Sequence, residues 1–151
     1  MVGTPIQEFE LPNSRGNTVN VKDLKGKKNI LIVLFRSINW PYCRWHAAHL
    51  RGDYEKFEEL DTFLYPILVD TESNAKELEK KYARKYPVFY DEQEKVAKML
   101  NQEKKLLKLG RMPGLLLVDK NGIIQYAYYG DNMHDIPENE EIIEVIKKIN
   151  K

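Results

Sequence analysis

The chain has 151 residues, 42% hydrophobic and 31% charged, which suits one domain over residues 1–151 that buries roughly 70% of its unfolded surface. A formal net charge of +1 supplies no large field to recruit nucleic acid, and the basic runs Lys104-Lys105 and Lys147-Lys148 have acidic companions, as solvated faces do. One cysteine excludes an internal disulfide, no apolar run approaches the roughly 20 residues that span a bilayer, and residues 1–8 lack a secretory-signal pattern, so the cytoplasm is the expected location.

No repeat or low-complexity tract interrupts the chain. Residues 8–11 and 18–21 are short strand candidates around the turn Asn13-Ser14-Arg15-Gly16-Asn17. Residues 23–26 lead into Asn29–Phe35, which is apolar without alternation, as a central strand covered on both faces should be. From residue 41 to about 63 the spacing becomes helical, with Trp45, Ala48, Leu50, Tyr54, Phe57 and Leu60 as its apolar positions. This predicts one long helix with Trp45 in the core and Gly52 as a weak point. Pro41 suits a first helical position, where its missing N–H would have had no partner.

Residues 64–70 predict a second buried strand ending at Asp70, residues 72–85 a charged helix, 87–90 a short strand and 92–100 a short helix. Strands at 115–118 and 123–129 flank the hairpin turn Asp119-Lys120-Asn121-Gly122. Pro137 opens a last helix whose apolar side is Ile142, Ile143, Val145, Ile146 and Ile149. The order β-β-β-α-β-α-β-α-β-β-α predicts a three-layer α/β sandwich, a central mixed sheet flanked by helices, with an N-terminal β-hairpin extension.

Cys43 lies in Asn39-Trp40-Pro41-Tyr42-Cys43-Arg44, beyond the carboxyl end of the central strand, where open α/β sheets place their sites. In the first turn of a helix, unpaired N–H groups favour thiolate over thiol. A structural cysteine buried in an element is inert, and position alone leaves both readings open. An ordinary thiol of pKa near 8.5 is only about 3% ionised at pH 7. The helix start contributes ~0.3–1 kcal/mol, less than one pKa unit. A guanidinium about 4 Å away adds up to ~4 kcal/mol at an effective dielectric of 20, so a cation decides the matter.

Arg36 ends the strand, Arg44 follows the cysteine and is expected to point away, and Arg111 precedes Met112-Pro113. His46, three residues after Cys43, is a candidate base, though a structural histidine is the commoner outcome. His49 and His134 lack the companions that zinc requires, so no metal is expected. Asp131, Asn132 and Asp135 read as turn and cap residues, with Asp135 capping the last helix.

Residues 3–12, with Pro5, Phe9 and Leu11, and residues 21–28, with Leu24 and Gly26, belong to a wider pattern. It continues through Leu34-Phe35-Arg36-Ser37-Ile38-Asn39-Trp40-Pro41-Tyr42-Cys43-Arg44, residues 107–113, Leu117-Val118-Asp119-Lys120-Asn121-Gly122 and residues 129–141. Over nearly the whole chain this resembles the alkyl hydroperoxide reductase/thiol-specific antioxidant (AhpC/TSA) proteins, the peroxiredoxin-like branch of the thioredoxin-fold superfamily. The resemblance implies a thioredoxin-like sandwich. It also implies a thiol-dependent peroxidase and antioxidant oxidoreductase, working through Cys43 without a cofactor.

In that reading the thiolate takes an oxygen from a hydroperoxide, and an external thiol (a thioredoxin-like protein or a low-molecular-weight thiol) resolves the sulfenic acid. Arg111 is implied as the activating cation, ahead of Arg36. Pro41, Met112 and Pro113 are implied as substrate-binding, with Pro113 in cis opposite Cys43; Trp40, by its place beside the site, is a candidate to stack on substrate, although packing is the commoner role. A homodimer through a sheet edge or helix face would fit family habit. Trp40 departs from the pattern: relatives carry cysteine or threonine there, and some selenocysteine. Two alternatives therefore stand beside the peroxidase. One is a thiol-disulfide oxidoreductase acting by mixed disulfides; the other is a degenerate, non-catalytic thioredoxin-fold binding module.

Overall fold

The computed structural model describes residues 2–100, 114–130 and 136–151. A hairpin of β1 (Glu10–Pro12) and β2 (Thr18–Asn20) precedes β3 (Asn29–Phe35). Then come α1 (Pro41–Gly52), α2 (Tyr54–Glu59), β4 (Thr62–Leu68), α3 (Glu72–Leu78), β5 (Phe89–Tyr90) and α4 (Lys95–Leu100). The chain closes with β6 (Gly114–Val118), β7 (Ile124–Tyr129) and α5 (Asn139–Ile149).

Five strands form one sheet in the order β5-β4-β3-β6-β7. Strands β3, β4 and β5 run parallel, while β6 and β7 are antiparallel to their neighbours, so the sheet is mixed as the element order predicts. Every residue of β3 is buried, which accounts for its unbroken apolar run. Leu31, Val33 and Phe35 pack with α1, α3 and α5 on one face. Ile30, Ile32 and Leu34 pack with the hairpin and α4 on the other. Tyr65 pins the hairpin down: its hydroxyl accepts from the Leu11 N–H at 3.1 Å and donates to the Val19 carbonyl at 2.7 Å.

Several boundaries differ from the sequence expectation. The long helix breaks at Asp53 and is over by Glu59. Asp61 adopts φ 54°, which turns the chain into β4, so Thr62 and Phe63 are strand rather than helix. The charged helix predicted over residues 72–85 holds α geometry to Leu78 and passes through a π-type turn at Glu79–Ala83. The helix α4 starts at Lys95 rather than 92, β5 covers two residues rather than four, and α5 starts two residues after Pro137.

The largest misplacement is Trp45. It is 48% exposed and stacks on Tyr42 and His49 along the outer face of α1. The buried face of α1 is instead Cys43, His46, Ala47 and Leu50, the i, i+3, i+4, i+7 pattern of a one-sided helix. Counting His46 as polar shifts the phase by one residue, about 100° around the helix, and puts Trp45 in the core where it does not belong.

Candidate active site

The turn from β3 into α1 is shaped by three local features. Trp40 is the extended residue before the helix, and Pro41 occupies its first position. The carbonyl of Trp40 then accepts the Cys43 N–H at 3.0 Å, fixing the first turn. Asp70, at the end of β4, clamps the loop between them: its carboxylate accepts from the Ser37 hydroxyl at 3.3 Å and the Ile38 N–H at 3.2 Å. Asn74 donates to the same carboxylate at 2.7 Å. Burial alone would raise Asp70, but the bonds from Asn74, Thr71, Ile38 and Ser37 hold it below the ordinary carboxylate value. Sequence reading ended the strand at Asp70 without giving it this role.

This scaffold leaves Cys43 5% exposed, among Phe35, Ile38 and Ala47 in the larger apolar cluster. Its Sγ accepts the backbone N–H of Arg36 at 3.3 Å. The thiol nonetheless sits above its ordinary value. Burial pushes it up, and the N–H groups of Arg36 and Ser37 with the charges of Arg36 and Arg44 pull it only partly back. A nearby cation was expected to decide the matter, but desolvation outweighs the charges of both arginines.

Arg36 is drawn inward together with its neighbour Phe35, and is itself only 7% exposed. Its Nη2 donates to Glu94 Oε2 at 2.9 Å. Its Nε and Nη1 are buried without a hydrogen-bond partner among the described residues. Burial lowers the guanidinium from its ordinary value, and Glu94, Cys43 and Asp91 oppose that shift. Glu94, which nothing in the sequence singles out, is thus part of the site. It sits at φ 62°, in a turn that Asp91 locks by accepting from the N–H groups of Lys95 at 3.0 Å and Ala97 at 2.8 Å.

Arg44 donates to the Ile38 carbonyl at 2.7 Å, and its charge still acts on Cys43. His46 is 3% exposed, packs edge-on to Phe35 and is pushed down by burial to about 3, so it stays neutral and is no general base at neutral pH. Trp40 is half-buried against the apolar cluster around Cys43, which suits packing, and Pro41 is exposed. Arg111, Met112 and Pro113, with the suggested cis bond, lie outside the described residues, as do Asp131, Asn132, His134 and Asp135. Among the described residues no group of three or more His, Cys, Asp or Glu side chains could hold a metal ion, and no helix is long and apolar enough to cross a membrane.

Fold and site together define a thioredoxin-fold protein with its one cysteine at the carboxyl edge of a mixed sheet. The chain belongs to the AhpC/TSA family, whose model matches residues 2–127. It is similar to chloroplastic peroxiredoxin Q of Oryza sativa subsp. japonica, 30% identical over 128 residues that cover 83% of this chain and 58% of that protein. The chain thus spans little more than half the length of that relative. It is also similar to peroxiredoxin Bcp of Bacillus subtilis, 25% identical over 126 residues, 80% of each chain. The solved structure of peroxidoxin BcpB from Mycobacterium tuberculosis superposes with TM-score 0.80 at 18% identity, over 98% of this chain and 97% of that one. At that identity it speaks to fold alone.

Proposed function

We propose that this chain reduces hydroperoxides at Cys43 through a sulfenic acid that an external thiol resolves. One observation carries the reading: in an AhpC/TSA chain, Sγ of Cys43 accepts a backbone N–H at 3.3 Å while a buried guanidinium acts on it. The thiolate attacks the distal peroxide oxygen and the O–O bond breaks. Sulfur gives up two electrons to the departing alkoxide or hydroxide, which takes its proton from water. Because burial lifts the thiol, the reactive fraction at neutral pH is small, and the rate should climb with pH until Cys43 ionises.

With one cysteine in these residues, the reductant is an outside thiol, either a thioredoxin-like protein or a low-molecular-weight thiol. A lone reduced cysteine also fits a reducing compartment, so we place the reaction in the cytoplasm.

The test is to treat the protein with hydrogen peroxide or an organic hydroperoxide and follow Cys43 by mass spectrometry, with Cys43→Ser as control. Sulfenic acid forming no faster than on free cysteine would falsify the peroxidase reading. The burial of Cys43 favours one second reading, a binding module on this fold that has lost its chemistry. That reading expects a thiol that resists peroxide at every pH up to its titration, whereas the peroxidase expects a rate that follows ionisation.

A further inference from the structure

Two backbone N–H groups serve Cys43. That of Arg36 donates to Sγ at 3.3 Å, and that of Ser37 also acts on the sulfur. In opposing burial, each outweighs the charge of Arg36 at the strand end and that of Arg44 on α1. Such donors depend on aim, because a hydrogen bond weakens steeply as its angle opens. Arg36 and Ser37 lie past Phe35, the last residue of β3 paired with β4, so the ladder between these strands does not hold them.

What holds them comes from the neighbouring strand. In the parallel register Phe35 faces Leu68, so two residues further on Ser37 comes level with Asp70. The half-buried Asp70 carboxylate divides its oxygens between two elements. Oδ2 accepts from the Ser37 hydroxyl at 3.3 Å and the Ile38 N–H at 3.2 Å. Oδ1 accepts from the Thr71 N–H at 2.8 Å and the Asn74 side-chain amide at 2.7 Å, at the start of α3. The Ser37 hydroxyl extends the chain of bonds by accepting the Asn39 N–H at 3.2 Å. One carboxylate thus fastens the loop that carries both sulfur donors to a rigid helix start, through charge-assisted bonds stronger than neutral ones.

We propose that Asp70 is a positioning residue for Cys43, acting through Ser37 and Ile38 to aim the Arg36 and Ser37 N–H groups at the sulfur. The proposal rests on Cys43 being the reacting group and deepens that reading: the thiolate fraction is governed from the end of β4 as well as from the cysteine's own turn. Asp70 touches neither the sulfur nor a substrate. Its effect is carried by the backbone between Arg36 and Ile38, which keeps two donors on the sulfur as its negative charge forms. Without that anchor the loop is free to turn, and burial acts against the thiolate with less to oppose it.

The experiment titrates the full chain by NMR with isotopic label at the cysteine Cβ. One cysteine gives one resonance, whose shift follows ionisation without peroxide or any entering reagent. Asp70→Ala and Asp70→Asn both remove the charge, but only Asp70→Ala removes the acceptor that Ser37 and Ile38 use. The Cys43 midpoint in Asp70→Ala should lie above that in Asp70→Asn by about one pH unit, or tenfold less thiolate at a given pH, the size of one weakened donor to a charged group. Coincident midpoints overturn the positioning role. Where the titration runs past the folded range, amide exchange decides. The Arg36 and Ile38 N–H groups should exchange about tenfold faster in Asp70→Ala than in Asp70→Asn, and equal protection overturns the proposal.

Thr71→Ala is the structural control, since it removes the side-chain cap of α3 and leaves the loop contacts in place. It should lower stability while the Cys43 midpoint stays at the wild-type value; a midpoint that moves as far as in Asp70→Ala assigns the effect to α3 and overturns the role of Asp70. Should Asp70→Ala fail to fold, Ser37→Ala decides, because it removes only the hydroxyl contact. Its midpoint should rise, and an unmoved one overturns the proposal. The peroxidase fails separately: a wild type that forms no sulfenic acid with peroxide removes that reading, while the titration still reports on Asp70.

Discussion

The two ends of β3 bury polar side chains in opposite ways. At its start, Asn29 is 1% exposed and its amide is bonded to Asn150 at 2.9 Å, with the Leu60 carbonyl and the Thr62 hydroxyl in reach. That cluster ties the last helix and the α2–β4 turn to the central strand. At its end, Arg36 is nearly as buried, yet two of its donors have no partner among the described residues. A satisfied polar cluster stabilises and specifies the fold; an unsatisfied one is tolerated only where it is needed for something else. The contrast sets the Cys43 end of the strand apart from its start on physical grounds alone.

The largest expected effect tests whether polar burial at the Cys43 end costs stability. His46 stays neutral down to about pH 3, whereas in the unfolded chain it takes up a proton below about 6.5. The unfolded state thus binds more protons in that window, and stability falls as pH drops, by about 1.4 kcal/mol for each pH unit between those limits. Denaturant unfolding at several acidic pH values should show this slope in wild type and lose most of it in His46→Leu. An unchanged slope would mean that His46 is not the buried proton acceptor.

Next in size is Asn29→Leu, which takes the donor from the Asn150 side-chain oxygen and breaks the tie between β3 and the end of α5, while the Leu60 carbonyl keeps Asn150 and Thr62 as donors. It should destabilise by about 2 kcal/mol in urea unfolding. Arg36→Met, by contrast, removes a buried charge whose partner Glu94 can turn to water, so stability should hold or rise by about 1 kcal/mol. If both substitutions cost the same, the two ends do not differ and the comparison fails. The smallest effect is expected from Trp45→Ala. Although aromatic, it lies on the outer face of α1, and its loss should change stability by about 0.5 kcal/mol or less in thermal melts.

Legibility varied with how local the cause was. The central strand, the helix start at Pro41 and the Asp119–Gly122 hairpin turn are written in neighbouring residues, through apolar runs, a fixed proline φ and turn chemistry. The inward face of α1 was misread because His46 is buried by Phe35 and Tyr42 rather than by its own apolarity. Asp70 and Glu94 were missed as site residues because the chain reaches the Cys43 loop from them only through folding, 32 and 58 residues away from the groups they bind.

By itself the sequence determined the layered α/β architecture and the position of one sulfur at the edge of its sheet. Periodicity and turn residues act over a few positions and survive any uncertainty in packing. Only the tertiary structure decided the state of that sulfur and the identity of a cation beside it. Both depend on how much water is excluded and on which distant carboxylate meets which guanidinium, and solvation and long-range pairing leave no mark on spacing along the chain.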